Sequence, residues 1–137
     1  MAKGNEVYVD TSALIAFLDR SDSHHELFKR HFSNPPSLVT TVLVVAEGHA
    51  WFLRRYDRTR AMQFLKLIEI LPTLFIQPVG PTEQNAATIL LRRFPDQNLT
   101  LVDAVGLHLM QRKRLASCWS TDFHLGLTGV PLIIHQS

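Results

Sequence analysis

Four acidic residues, Asp10, Glu47, Asp103 and Asp122, stand where an ionised carboxylate needs an explanation. Asp10 interrupts Val7-Tyr8-Val9-Asp10-Thr11-Ser12, where a β-branched and aromatic run gives way to apolar residues at helical spacing. In open α/β sheets ligands bind beyond the carboxyl ends of the strands, so Asp10 projects into a site if its strand is central. Glu47 shares a helical face with positions 43, 44, 50 and 51, which read Leu, Val, Ala and Trp. A carboxylate in an apolar stripe must pair with a cation, coordinate a metal or border a cavity, because burying it alone is expensive. Asp103 has Leu99, Gly106 and Leu107 three or four residues away, and Asp122 follows a strand-like stretch at 116–120. Gly106 would let another backbone approach closely.

Each acid also has a plainer reading. Asp10 caps the following helix, with Thr11 or Ser12 assisting. Glu47 reaches solvent or pairs with Arg54 or Arg55. Thr100-x-x-Asp103 resembles a capping box, a role compatible with ligation, and Thr121-Asp122 is ordinary turn chemistry. Carboxylates converging on one cavity repel each other unless a cation or proton neutralises them. Oxygen-only ligands favour Mg²⁺ or Mn²⁺, which orient and acidify water and stabilise the leaving oxygen of a phosphodiester.

The elements that must position these acids follow from the apolar periodicity. A first strand and helix are followed by Ser23-x-x-Glu26, read as a capping box opening a helix to about Phe32. A Pro-rich loop leads to a short strand at 38–40 and a long helix from Thr41 to about Tyr56. Another helix covers 59–68. A strand at 74–79 lies at a sheet edge because Pro78 cannot donate to a ladder. Helices over 82–93 and 99–114, a fourth strand at 116–120 and a fifth at 131–134 complete the chain. Alternating strands and helices imply parallel pairing with helices on both faces.

At 137 residues the chain fits one domain, 1–137, able to bury a core without disulfides. The polar start and the lack of a bilayer-length apolar run point to a cytoplasmic protein with no membrane partner. Cys118 has no partner for a disulfide and reads as a buried inert thiol. Net charge is only +2, but setting the four acids aside leaves 14 basic against 8 acidic side chains. An acidic pocket in a basic surround suits a polyanion. Arg54, Arg55, Arg112, Lys113 and Arg114 are candidate RNA phosphate contacts, although cations are also favoured at helix ends.

Val-Asp-Thr-Ser-Ala-Leu at 9–14, Thr40-Thr41 followed by Glu47, Leu-x-x-x-Asp-Ala at 99–104, and Ser-Thr-Asp at 120–122 together resemble the PIN-domain ribonucleases, most closely the small VapC-type toxins of prokaryotes. The resemblance runs from about Val7 to Ile134. It implies an α/β fold, a three-layer α/β/α sandwich with a mainly parallel sheet of about five strands. It implies a Mg²⁺- or Mn²⁺-dependent endoribonuclease with Asp10, Glu47, Asp103 and Asp122 as catalytic metal ligands, and Ser12 as secondary support. An RNA substrate, a homodimer and a small antitoxin are the partners it suggests. Gly48 inside a helix and His124 after the last acid depart from the family pattern.

Other chemistries fit less well. The seven histidines contain no His-x-x-x-His pair, which disfavours zinc. Asp10 as a phosphorylated nucleophile would usually have a second aspartate two residues on, where this chain has Ser12. A PIN-fold module that binds RNA or protein without cutting is the main alternative. Trp51, Phe52 and Trp119 lie within apolar patterns and read as core rather than as base-stacking platforms.

Overall fold

The structure, a computed structural model, describes residues 6–136, so the polar start at 1–5 on which the reading of an absent leader rests lies outside the described residues. Val7-Tyr8-Val9 forms strand β1 (Val7–Val9), buried on both faces, as expected of a central strand with helices above and below. The chain continues through α1 (Thr11–Leu18), α2 (His25–Ser33), β2 (Leu38–Thr40), α3 (Val42–Arg55), α4 (Arg58–Ile70), β3 (Leu74–Ile76), α5 (Pro81–Arg93), α6 (Leu101–Arg112) and β4 (Ser117–Trp119). Short 3₁₀ turns follow at Phe123–Gly126 and Ile133–His135.

The four strands are all parallel, in the order β3-β2-β1-β4. Two crossovers therefore move outward from β1 to β3, and the third returns to place β4 on the other side of β1. Right-handed crossovers put α1 to α4 on one face and α5 with α6 on the other. The packing agrees: α1 touches α2 and α3, α3 lies on α4, and α5 lies on α6. Strand order reverses between β1 and β4, so the crevice past their carboxyl ends is the expected ligand position.

The expected fifth strand does not form, and the sheet has four strands. Leu132 makes one isolated bridge to Cys118, and the chain then turns into the 3₁₀ segment. Pro131 accepts from Cys118 N (2.9 Å) but has no N–H to return, so pairing does not propagate. At the other edge β3 is shorter than expected. Gln77 N still donates to Thr40 O (2.8 Å), and Pro78 ends the pairing.

Helix starts follow local chemistry. Thr41 and Asp57 cap α3 and α4 by accepting from Val44 N and Arg60 N. The box expected at Ser23 is absent: α2 begins at His25, and the Asp22 carboxylate takes the His24 N–H (2.8 Å) instead. That shorter loop back to an ionised acceptor outcompetes a serine hydroxyl. Gly48 is accounted for by packing, since a Cβ there would lie 2.2 Å from Phe64 Cζ on α4. Gly106 similarly admits the Tyr8 ring, a side chain and not the backbone its position suggested. Among the described residues, no helix is long and apolar enough to cross a membrane.

Candidate active site

Asp10 occupies the N-cap position of α1 but makes no side-chain cap hydrogen bond. Its Oδ2 instead accepts from Ser12 Oγ and Ser120 Oγ, both at 2.9 Å. Val9 pairs with Trp119, so the next residues, Asp10 and Ser120, meet at the sheet end, and Asp10 N extends the ladder to Trp119 O (3.0 Å). Each serine oxygen also accepts a backbone N–H: Thr121 N donates to Ser12 (3.0 Å) and Asp122 N to Ser120 (2.9 Å). The loop carrying Asp122 is thereby tied to the carboxylate of Asp10. Asp10 is only 6% exposed. Burial pushes its pKa up to about 6, Ser12 and Ser120 restrain the rise, and the charge of Asp103 adds to it.

Glu47 accepts a hydrogen bond from Thr11 Oγ1, which links α3 to the first turn of α1. No ion pair joins it to Arg54 or Arg55 among the described residues. Asp103 forms the capping box that its spacing allowed and also lines the cleft. Its N–H donates to Thr100 Oγ1 (3.0 Å) while its Oδ2 accepts from Thr100 N (3.2 Å), a reciprocal capping box. Burial raises the Asp103 pKa, and the neighbouring charge of Asp122 raises it further.

Asp122 Oδ1 accepts from His124 N (3.0 Å) and lies 2.9 Å from His124 Nδ1. A carboxylate oxygen accepts, so an imidazole Nδ1–H is the donor of this contact. Donor atoms of Asp103, Asp122 and His124 all fall within 4.8 Å of one another, a spacing a single cation can span. With Asp10 and Glu47 on the same cleft, this oxygen-rich set fits a divalent cation.

All four acids, Ser12 and Arg54 line one cleft of about 340 Å³. A larger depression of about 560 Å³ lies at the far end of α1, beside Asp19, Tyr56 and Arg60. There Asp19, which is the one carboxylate among the lining residues, has its Oδ1 accepting from Ser21 N, Ser21 Oγ and Tyr56 OH. The four acids are gathered in the smaller cleft and not there. Among the candidate cations, only Arg54 lines it. Arg112 pairs with Glu83 (3.0 Å), Lys113 donates to Gln77 (2.9 Å), Arg55 lies over the Tyr56 ring, and Arg114 is exposed past the end of α6. Since α6 is 12 residues long, its basic end stands roughly 17 Å from Asp103's end.

Three participants escaped the sequence: Ser120, Thr11 and His124. Ser120 becomes visible only once β1 is paired with β4. Thr11 requires the packing of α1 on α3. For His124 the local signal was present, because an Asp-x-His at a strand end can bring both side chains to one point.

Four carboxylates thus line one cleft past the carboxyl ends of a parallel sheet, at its switch point. The chain belongs to the PIN domain family, whose model matches residues 7–125. A comparison with curated proteins gives no sequence match. Solved structures share the fold. VapC20 of Mycobacterium tuberculosis, described as a toxin that cleaves the sarcin-ricin loop, has a TM-score of 0.82 at 22% identity, over 90% of this chain and 95% of that one. PAE2754 of Pyrobaculum aerophilum gives 0.64 at 17% identity, over 99% and 95%. A toxin–antitoxin complex from Klebsiella pneumoniae gives 0.61 at 18% identity, over 91% and 92%.

Proposed function

We propose that this chain is a divalent-metal-dependent endoribonuclease and the toxin of a toxin–antitoxin pair. The observation that carries the proposal is the convergence of Asp10, Glu47, Asp103 and Asp122 on one cleft, although they come from four separated segments. A module relieved of catalysis gains nothing from carboxylates whose burial and mutual repulsion hold Asp10 and Asp103 above the ordinary carboxylate range.

In this reading Asp10, Asp103, Asp122 and Glu47 hold Mg²⁺ or Mn²⁺, with His124 as a further donor. Bound there, the ion supplies charge neutralisation and the acidification of water beside a phosphodiester. Ser12 and Ser120 fix the Asp10 carboxylate, and Thr11 fixes that of Glu47. Arg54 offers a cation to the substrate backbone. VapC20, which shares the fold, is a toxin that cleaves the sarcin-ricin loop, and the Klebsiella structure is a toxin–antitoxin complex; both support the reading for this chain. A second copy is a further expected partner, with exposed Val42 and Leu101 beside the cleft as apolar surface to cover.

The test is cleavage of a mixed cellular RNA pool by wild type and Asp10→Asn, each with Mg²⁺, Mn²⁺ and excess chelator. Metal-dependent cuts that vanish in the variant are expected. Equal inertness of both proteins, with RNA binding retained, would sink the catalytic reading and leave a binding module.

A further inference from the structure

The apolar part of the cleft wall has no role in metal chemistry. Trp51 and Ile15 line it together with the acids. Both neighbouring candidates for core behave as core, Phe52 at 1% exposure and Trp119 at 3%. Trp51 differs: it is only partly buried, and its ring is held from behind by edge contacts to Phe52 (centroids 5.0 Å, 84°) and Tyr56 (6.1 Å, 67°). Such a ring is pre-set and loses little freedom when something stacks on it. Glu47, Trp51 and Arg54 follow one another at i, i+4 and i+7, so one face of α3 presents a carboxylate, an aromatic ring and a guanidinium in a row. The rise from Glu47 to Arg54 is roughly 10 Å. Arg54 is exposed and has no ion pair or hydrogen bond among the described residues.

We infer that Trp51 is the platform on which one nucleobase of the RNA stacks, and that Arg54 holds the phosphate on the far side of that base from the acids. This rests on the ribonuclease reading and adds to it a residue that sets where the strand lies. A phosphate at the acids, a base on Trp51 and a further phosphate at Arg54 belong to one strand laid along this face of α3. Stacking on an aromatic ring requires a base splayed out of a helix, as in loops and single strands. A peptide could pair its own charges with the two ends of the row, but the strand favoured here supplies a phosphate, a flat base and a phosphate to its three members at once.

The test uses the Asp10→Asn protein in Mg²⁺ with a mixed-sequence single-stranded RNA, so that binding is followed without cleavage. Trp119 is buried, so quenching of tryptophan emission on RNA addition reports Trp51. Quenching is expected, and adding Trp51→Ala should weaken RNA affinity by about 5- to 150-fold. Trp51→Phe should lose the quenching but keep affinity within about threefold, since a smaller ring still stacks. An otherwise identical oligonucleotide without bases should bind the proteins with and without Trp51 alike. RNA that binds and leaves the emission unchanged, or an alanine variant within twofold of its parent, overturns this inference alone and leaves the ring to a protein partner. Failure of any RNA to bind overturns it together with the ribonuclease reading.

Discussion

Removing the charge of Asp10 should make the metal-free protein more stable while it abolishes cleavage. The Asp10 pKa stands at about 6 in the folded chain against an ordinary 3.8, chiefly because the carboxyl is buried. A group whose pKa is raised by folding contributes its full stability below the unfolded value and loses it as pH rises through the folded value. Here the loss runs from about pH 4 to above pH 6 and totals about 3 kcal/mol at 1.36 kcal/mol per pH unit. Unfolding entropy near 2.1 cal/mol/K per residue over 137 residues converts this to about 10 °C in Tm. Asparagine keeps an oxygen to accept from Ser12 and Ser120 and carries no charge to desolvate. The assay is thermal unfolding in chelator at pH 4 and pH 8. Asp10→Asn should exceed wild type by about 5–10 °C at pH 8 and lose most of that advantage at pH 4. Adding Mg²⁺ or Mn²⁺ should raise the wild-type Tm and leave the variant nearly unmoved, since a ligand stabilises only the state that binds it. A variant less stable than wild type at pH 8, or one with the same pH profile, refutes the argument that burial of this charge opposes folding.

Asp103 should separate capping from ligation: Asp103→Asn keeps an acceptor for Thr100 N and sheds a charge that burial disfavours, so its Tm in chelator at pH 8 should equal or exceed that of wild type while cleavage falls. Asp103→Ala should lose cleavage and also about 1 kcal/mol of stability, measured by denaturant titration. Ser120→Ala removes a bond that holds the Asp10 pKa down, so the acid limb of the pH–cleavage profile should move to higher pH, against no movement if Ser120 is only packing. Gly48→Ala should destabilise by about 1–3 kcal/mol despite alanine's better helix propensity, because the added Cβ meets the Phe64 ring; urea midpoints check it, and a stabilised variant would show that α4 yields freely.

How legible each part was depends on how far the deciding contact lies along the chain. The acids could be read because each breaks a local pattern: Asp10 ends a strand, Glu47 interrupts an apolar face, and Asp103 sits in a first turn. Their partners could not, because Ser120 is separated from Asp10 by the whole crossover system and becomes its neighbour only through the Val9 to Trp119 register. Periodicity places Trp51 on the apolar face of α3, where it packs against the core, and only the packing of α1 on α3 shows that the same residue also borders the cleft. The fifth strand failed at a scale periodicity does not resolve, since an apolar Pro-Leu-Ile-Ile run is equally compatible with a strand and with a turn that buries Leu132 alone.

The site is consequently a property of the topology. Parallel pairing with a reversal at β1 and β4 brings the Asp10 and Asp122 segments together, and the starts of α3 and α6 deliver Glu47 and Asp103 to the same end of the sheet. Folding thus drives like charges together, and burial raises the pKa of two of them. Hydrogen bonds from Ser12, Ser120, Thr11 and Thr100 partly offset that repulsion, and they also fix the carboxylate orientations a cation would need. The same contacts therefore serve folding without the ion and ligation with it. For that reason the stability of Asp10→Asn and its loss of metal response should change together, two readings of a single buried charge.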